Sequence, residues 1–425
     1  MNGLQFRPEF PVFFVVMLCA SLSFSAIAQV DERFEWPCFH GPDRTNKSTE
    51  TGLLKAWPED GPVNVLTITG LGEGYSSVSI AGGKLFTAGT ADNQTFVYAY
   101  DLDGQLLWKQ PNGEAWESAR AHARAYTGAR STPTFDEGNL YHVGETGLLT
   151  AFDAETGDVR WSLDMREEFE APMPQYAYSE SVLVDGDRLY VNPAGRKAFM
   201  VCLDKTTGDV IWANDAISGG AAYHSPIVVD AAGFRQVLSM SAAYLYGVDA
   251  ETGRLLWQEP MRNARSNNCT NPIFHDGYVF ASSGYGWGSM LLRLLPSDNG
   301  VTTETVWRSP LMDNHHGGVI LHEGYLYGAG QNERGWFCLD FMTGEQLWNE
   351  RGKGSLTYAD GMLYLLEERG TMRLVRATHE HFEEVSSFEV PSGGRGLYWA
   401  HPVVCGGRLY VRHADNMYAY DIRER

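Results

Sequence analysis

Residues 149–161 read LTAFDAETGDVRW, a stretch that recurs along the chain. MVCLDKTTGDVIW stands at 200–212, LYGVDAETGRLLW at 245–257 and WFCLDFMTGEQLW at 336–348. A copy one residue shorter, VYAYDLDGQLLW, occupies 97–108. The shared core is a small residue, Asp two positions on, Thr-Gly, and Trp ten after the small residue. Alternating apolar residues before Asp153 predict a strand of period two. Asp and Thr side chains bond the turn backbone, and Gly157 supplies the positive φ of a tight hairpin. The following strand ends in Trp161, a large ring suited to packing on a neighbouring unit.

A second element precedes each copy: a short apolar strand, a Gly turn, then Leu-Tyr or similar, as in TPTFDEGNLY (132–141), SVLVDGDRLY (181–190) and HPVVCGGRLY (401–410). It gives eight registers, with first strands beginning near Val78, Pro133, Val182, Pro226, Pro272, Val319, Leu356 and Pro402. Such spacing leaves room for four short antiparallel strands per unit, the blade of a β-propeller. The fold expected is therefore all-β, an eight-bladed propeller over 63–425. The last unit stops at MYAYDIRER, short of its final strand, so VNVLTITG (63–70) is expected to supply it. Closing the ring this way removes exposed sheet edges. The docking column reads Trp108, Trp161, Trp212, Trp257, Trp307 and Trp348, with Phe388 in a degenerate seventh unit.

Composition agrees with this reading. The chain has 425 residues, 46 Gly, 12 Trp, 21 Tyr and 20 Phe, which favours short strands and tight turns. A net charge of −20 argues against nucleic-acid binding, which needs clustered Lys and Arg. Residues 1–28 read as a secretory signal: Arg7, an apolar run from Pro11 to Phe24, and Ala26-Ile27-Ala28 for cleavage near Ala28. The run is too short for a strong membrane span. The mature protein is expected in the periplasm or outside the cell, with 29–62 as an N-terminal extension and the propeller monomeric. Cys38, Cys202, Cys269, Cys338 and Cys405 form no disulfide framework by count or spacing, and neither a haem motif nor a zinc motif occurs.

The repeat resembles the tryptophan-docking motif of the pyrroloquinoline-quinone (PQQ)-like β-propeller family. That family includes quinoprotein alcohol dehydrogenases and the propeller lipoprotein of the outer-membrane β-barrel assembly machine. WPCFHGPDR (36–44) and GLGEGYSSVSIAGG (70–83) look like exported members of planctomycete type. The resemblance implies that first strands line a central channel, so residues just before them converge on one face. By register these are Tyr75-Ser76-Ser77, Arg130-Ser131-Thr132, Ser179-Glu180-Ser181 and Tyr223-His224-Ser225. The second half-ring is Cys269-Thr270-Asn271, His316-Gly317-Gly318, Lys353-Gly354-Ser355 and Trp399-Ala400-His401.

From this column Arg130, Glu180, His224, Asn271, His316, Trp399 and His401 are the candidates for one funnel site for a polar ligand. A channel mouth that is merely wet would explain the same polarity. Asp313-Asn314-His315-His316 has metal-ligand residue types, but adjacent histidines on an extended segment diverge, and no metal site is assigned. Two inserts, 111–129 with Arg120, His122 and Arg124 on a short helix, and 165–178 beside Glu180, are expected to cap the funnel. Three sequons (Asn46, Asn93, Asn268) matter only in a eukaryotic secretory pathway.

Three functions remain. The first is a non-catalytic binding module of the cell envelope that holds a protein, peptide or glycan at the funnel face. The second is a quinoprotein-type alcohol dehydrogenase using PQQ and Ca²⁺, for which Arg130, Glu180, Asn271 and Trp399 are suitable residue types. Against it stand the missing Cys-Cys pair and the absence of an attached cytochrome module. The third is a polysaccharide hydrolase or lyase using channel His and Glu. No cofactor is assigned.

Overall fold

In the computed structural model, residues 34–118, 126–298 and 300–424 are described, with residues 1 and 3. The proposed signal and the helix expected around Arg120, His122 and Arg124 fall outside the described residues. These residues form eight four-stranded antiparallel sheets arranged as a propeller. The innermost strands are Ser79–Ala81, Thr134–Asp136, Leu183–Asp185, Ile227–Ala231, Ile273–His275, Val319–His322, Gly354–Ala359 and Val403–Cys405, in blades 1 to 8. No helix among the described residues is long and apolar enough to cross a membrane. The insert at 165–178 contributes one short helix, Met165–Glu168, capped by the Asp164 carboxylate.

Blade 8 is completed from the other end of the chain. Strand Val63–Ile68 pairs antiparallel with Asn416–Asp421, placing Asn64 opposite Tyr420 and Ile68 opposite Met417. Gly104, in the turn of blade 1, lies against Leu66, so Leu66 fills the docking position for this closing blade.

The repeat spacing has a direct packing cause. The small residue of each motif sits opposite its Trp across the outer strand pair: Ala99 with Trp108, Ala151 with Trp161, Cys202 with Trp212, Cys338 with Trp348. A β-bulge follows at the next position in all four, which turns the strand and aims the ring at the next blade. There the indole N–H donates to the carbonyl just after the next motif Asp: Trp108 to Ala154 (3.2 Å), Trp161 to Lys205 (3.0 Å), Trp212 to Ala250 (3.1 Å) and Trp307 to Phe341 (3.0 Å). The turn glycine lies under the ring. A Cβ on Gly208, at φ +79°, would stand 2.8 Å from Trp161. Glycine is needed twice over there, for φ and for closeness.

Trp257 departs from the column. Its indole donates to Gln236 in its own blade, although the ring still packs among blade 5 side chains such as Val279 and Leu292. Blade 5 offers no Asp-Thr-Gly turn; its outer strands are instead a long hairpin, Gly288–Ser297 with Gly300–Ser309. Cys202 and Cys338 are buried packing residues, and all five described cysteines are free.

The segment between Trp36 and Glu50 crosses the channel against the innermost strands and the residues just ahead of them. Trp36 pairs with Ile80 of blade 1, and the Phe135 amide of blade 2 donates to Pro37. Arg44 donates to the carbonyls of Ser181 (3.2 Å), Pro226 (3.1 Å) and Val182 in blades 3 and 4. Asn46 then reaches the Leu356 carbonyl of blade 7, on the far side of the ring. Glu50 accepts from the amides of Gly406 and Gly407 in blade 8. Arg44→Ala is expected to cost about 2–4 kcal/mol, because it strands three buried carbonyls. Urea unfolding of the variant checks this; an unchanged midpoint would show that the segment does not brace the ring.

Candidate functional site

A cavity of about 470 Å³ opens on the face where chain enters the innermost strands. The period-two geometry of extended chain sorts the three residues that precede each strand. The first of each triplet faces the cavity: Tyr75, Arg130, Ser179 and Tyr223 from blades 1 to 4, then Cys269, His316, Lys353 and Trp399 from blades 5 to 8. Every blade thus contributes one side chain to the wall.

Residues at the third position link blades. The Ser77 amide donates to Thr132 Oγ1, Thr132 to Ser181 Oγ, Ser181 to Ser225 Oγ, and Ser225 to Asn271 Oδ1, at 2.8–3.0 Å. Asn271 reaches His40, which bonds His401 at 2.9 Å, and Ser77 Oγ donates to the His401 carbonyl. The small polar character of this column comes from that belt of hydrogen bonds. Ser181, Ser225 and His401 also touch the cavity.

Of the seven funnel candidates, Arg130, His316, Trp399 and His401 lie on the cavity wall, while Glu180, His224 and Asn271 do not. Asn271 is consumed by the belt. Glu180 and His224 hold middle positions and point into the blades. Glu180 accepts from the Asn192 amide and from Asn192 Nδ2 (2.8 Å), and Asn192 continues to Ser239, which bonds His224 at 2.9 Å. Burial pushes the Glu180 carboxyl up to about 8, outweighing its bonds from Asn192, and pushes the His224 imidazole down to about 3. The shared-cavity expectation is corrected for these three: alternate residues of an extended strand face opposite ways, which turns Glu180 and His224 into the blades, and Asn271 is spent on the Ser225 amide and His40.

Glu368, in the turn between the second and third strands of blade 7, is the one carboxylate on the wall among the described residues. It meets Lys353 at 2.9 Å, Arg334 at 2.9 Å, His316 at 3.2 Å and the Trp399 indole N–H at 3.0 Å. Burial raises its pKa, but the bonds from His316 and Lys353 prevail and hold it well below the usual carboxylate range. Burial lowers His316 and His401 to about 4 each, so both rings are neutral near pH 7. Arg130 is held by the carbonyls of Gly128 (3.0 Å) and Tyr126 and faces the Tyr75 and Trp116 rings at 5.6 and 5.5 Å. Trp399 is stacked on Tyr126 at 5.2 Å and tilted against Tyr75 at 5.4 Å. Phe39, from the crossing segment, also lines the cavity.

Glu368, Arg334, Arg265 and Tyr285 were missed by reading only residues ahead of the first strands. They sit in turns between second and third strands or in blade-to-blade connections, which an up-and-down blade places on the same face. That parity was the available signal. Among the described residues no group of three or more His, Cys, Asp or Glu is placed to hold a metal. Asp313 is spent on the amides of Gly286, Gln331 and Asn332, so the Asp-Asn-His-His stretch is a loop. Calcium takes six to eight oxygen ligands including free carboxylates. Glu368, bound by two cations, does not fit that donor set. Burial pushes the Cys269 thiol up to about 12, which leaves it inert as a nucleophile.

Fold and cavity together define a tryptophan-docked β-propeller with a recess at its funnel face. Residues 92–350 match the family described as outer membrane protein assembly factor BamB, and the chain belongs to that family. It is 27% identical over 237 residues to the assembly factor BamB of Kangiella koreensis, covering 54% of this chain and 53% of that one. It is 24% identical over 311 residues to the quinoprotein alcohol dehydrogenase PedH of Pseudomonas putida, covering 68% of this chain and 47% of that one. The chain thus spans about half the length of these curated relatives. Among solved structures, BamB from Moraxella catarrhalis superposes with a TM-score of 0.59 at 16% identity, over 85% of this chain and 100% of that one. A europium-containing methanol dehydrogenase superposes at 0.53 with 11% identity, over 90% and 89%. At such identities the structural likeness establishes the fold alone.

Proposed function

We propose that the protein is an exported, non-catalytic binding propeller of the cell envelope that holds its ligand at the funnel-face recess. One observation carries this reading: the recess is lined by a side chain from every blade, yet the only carboxylate among its described residues is locked by Lys353, Arg334, His316 and Trp399. A general acid or base must exchange its proton near working pH. Glu368 is held ionised and His316 and His401 are held neutral, so the wall is set to hold a ligand rather than move protons. The family, named for outer membrane protein assembly, supports an envelope location, as does the signal-like N-terminus. Relatedness to quinoprotein dehydrogenases does not favour oxidation here, given the poor calcium fit.

The test is reconstitution with PQQ and Ca²⁺ followed by a dye-linked alcohol oxidation assay. Turnover is expected to stay at the protein-free background. Turnover that saturates with PQQ and disappears in Trp399→Ala would overturn the binding-module reading.

A further inference from the structure

The recess carries charge opposite to the chain. Among the described residues its wall holds Arg130, Arg265, Arg334 and Lys353 against Glu368, a surplus of three positive charges (four cations less one carboxylate) in a protein of net charge −20. Lys353 and Arg334 share Glu368. Neither Arg130 nor Arg265 has a carboxylate within ion-pair distance among the described residues. Arg130 has only neutral carbonyls, and Arg265 lies over the Tyr285 ring at 6.0 Å. Guanidinium groups held by carbonyls and rings keep their charge for an incoming anion and match carboxylate geometry with paired N–H groups.

Simple anions do not account for the rest of the wall. His316 Nε2 donates to the Glu368 carboxylate, so its neutral ring presents Nδ1 as an acceptor, and that atom has no partner. Gln331 Oε1 is likewise a buried acceptor without one. Ser179 Oγ, also unpartnered, serves as donor or acceptor. Buried polar atoms seek partners; these three have almost no exposed surface of their own but belong to wall residues, so they mark where a side chain would turn toward O–H donors of the ligand that brings the negative charge. The wall is also rich in aromatic side chains, Tyr75, Tyr176, Tyr223 and Tyr285 beside Trp399, and such apolar surface suits the C–H face of a ring. A hydroxyl-bearing ring that carries a carboxylate meets all three demands. A flat aromatic polyacid lacks the O–H donors, and phosphate lacks the ring.

We propose that the recess binds acidic sugars, a short glycan whose pyranose rings carry carboxylates. It rests on the binding-module reading and adds the ligand class. The volume of about 470 Å³ lies within the range of small-ligand sites.

The experiment is calorimetric titration of the purified protein with tetragalacturonate, its neutral galactose counterpart of equal length, inorganic phosphate and PQQ. Tetragalacturonate is expected to bind at least about tenfold more tightly than the neutral tetramer, weakening as salt rises from about 50 to 300 mM. Arg265→Gln, at an exposed position, and Trp399→Ala should each weaken it about tenfold or more. Arg130→Gln should do so as well; if that variant misfolds, Arg265→Gln still decides, provided its melting temperature is unchanged. Equal binding of the neutral tetramer sinks the acidic preference and leaves a glycan-binding module standing. Preference for phosphate or PQQ over tetragalacturonate overturns the ligand class, as does no binding of either tetramer. Time-dependent shortening of tetragalacturonate would support the ligand class while ending the non-catalytic reading.

Discussion

Acidification from pH 7 to about 4.5 is expected to remove most of the protein's folding stability. Six imidazoles among the described residues are held neutral by burial: His40 and His315 are lowered well below the reference of 6.5, His142 and His224 to about 3, and His316 and His401 to about 4. Groups whose folded pKa is depressed contribute stability above the unfolded pKa, and lose it as pH falls toward the folded value. Each pH unit below 6.5 therefore costs about 1.4 kcal/mol per imidazole, so two units across the last four groups alone approach ~10 kcal/mol, comparable to the net stability of a domain. Glu180 runs the other way. Its folded pKa is raised to about 8, so its contribution is complete below 4.5 and is lost as pH rises through 8. One opposing group does not offset four. Glu368 enters only below its unfolded value of 4.5. Urea midpoints measured at pH 7.5, 6.5, 5.5 and 4.5 check this, and His224→Gln should flatten the slope. A midpoint constant across that range would show that these rings protonate without penalty.

Replacing Trp212 by Ala is expected to cost about 3–5 kcal/mol, as for other buried aromatics truncated in cores. The ring is 8% exposed, fills the space above Gly253 and donates to the Ala250 carbonyl of the next blade. Trp161→Ala should fall at the lower end, since its ring is partly exposed. Trp212→Phe should lose less, because the stacked area is largely retained while the hydrogen bond goes, worth about 1 kcal/mol. Thermal unfolding with the alanine variants unchanged would refute docking between blades.

The architecture was legible because one packing device is repeated. A small residue opposite Trp, a bulge, and a glycine beneath the neighbouring ring leave a spacing visible in any single copy. The closing strand was legible for the converse reason: the last copy lacks its Trp strand, and Val63–Ile68 belongs to no other unit. The site was less so. Triplets ahead of the inner strands could be located, but which member faces the channel depends on strand parity, and this separated Arg130 and Trp399 from Glu180 and His224. Glu368 was hidden because it stands in a turn of the degenerate seventh blade, away from the motif. The role of residues 36–50 was hidden as well. Their partners are mostly backbone carbonyls and amides from blades 3, 4, 7 and 8, and backbone groups carry no sequence signature.

The strap that runs from Trp36 to Glu50 turns the ring into a cup. Arg44 is anchored on blades 3 and 4, Asn46 on blade 7, and Phe39 forms part of the floor. A polymer entering the mouth meets this strap on the ring axis, so its tip, or a side branch, is what reaches the bottom. Arrival and departure share one mouth, and a bound molecule blocks its own replacement. Exchange is then paced by departure, which suits a receptor that retains its cargo and not a machine that must slide along a chain.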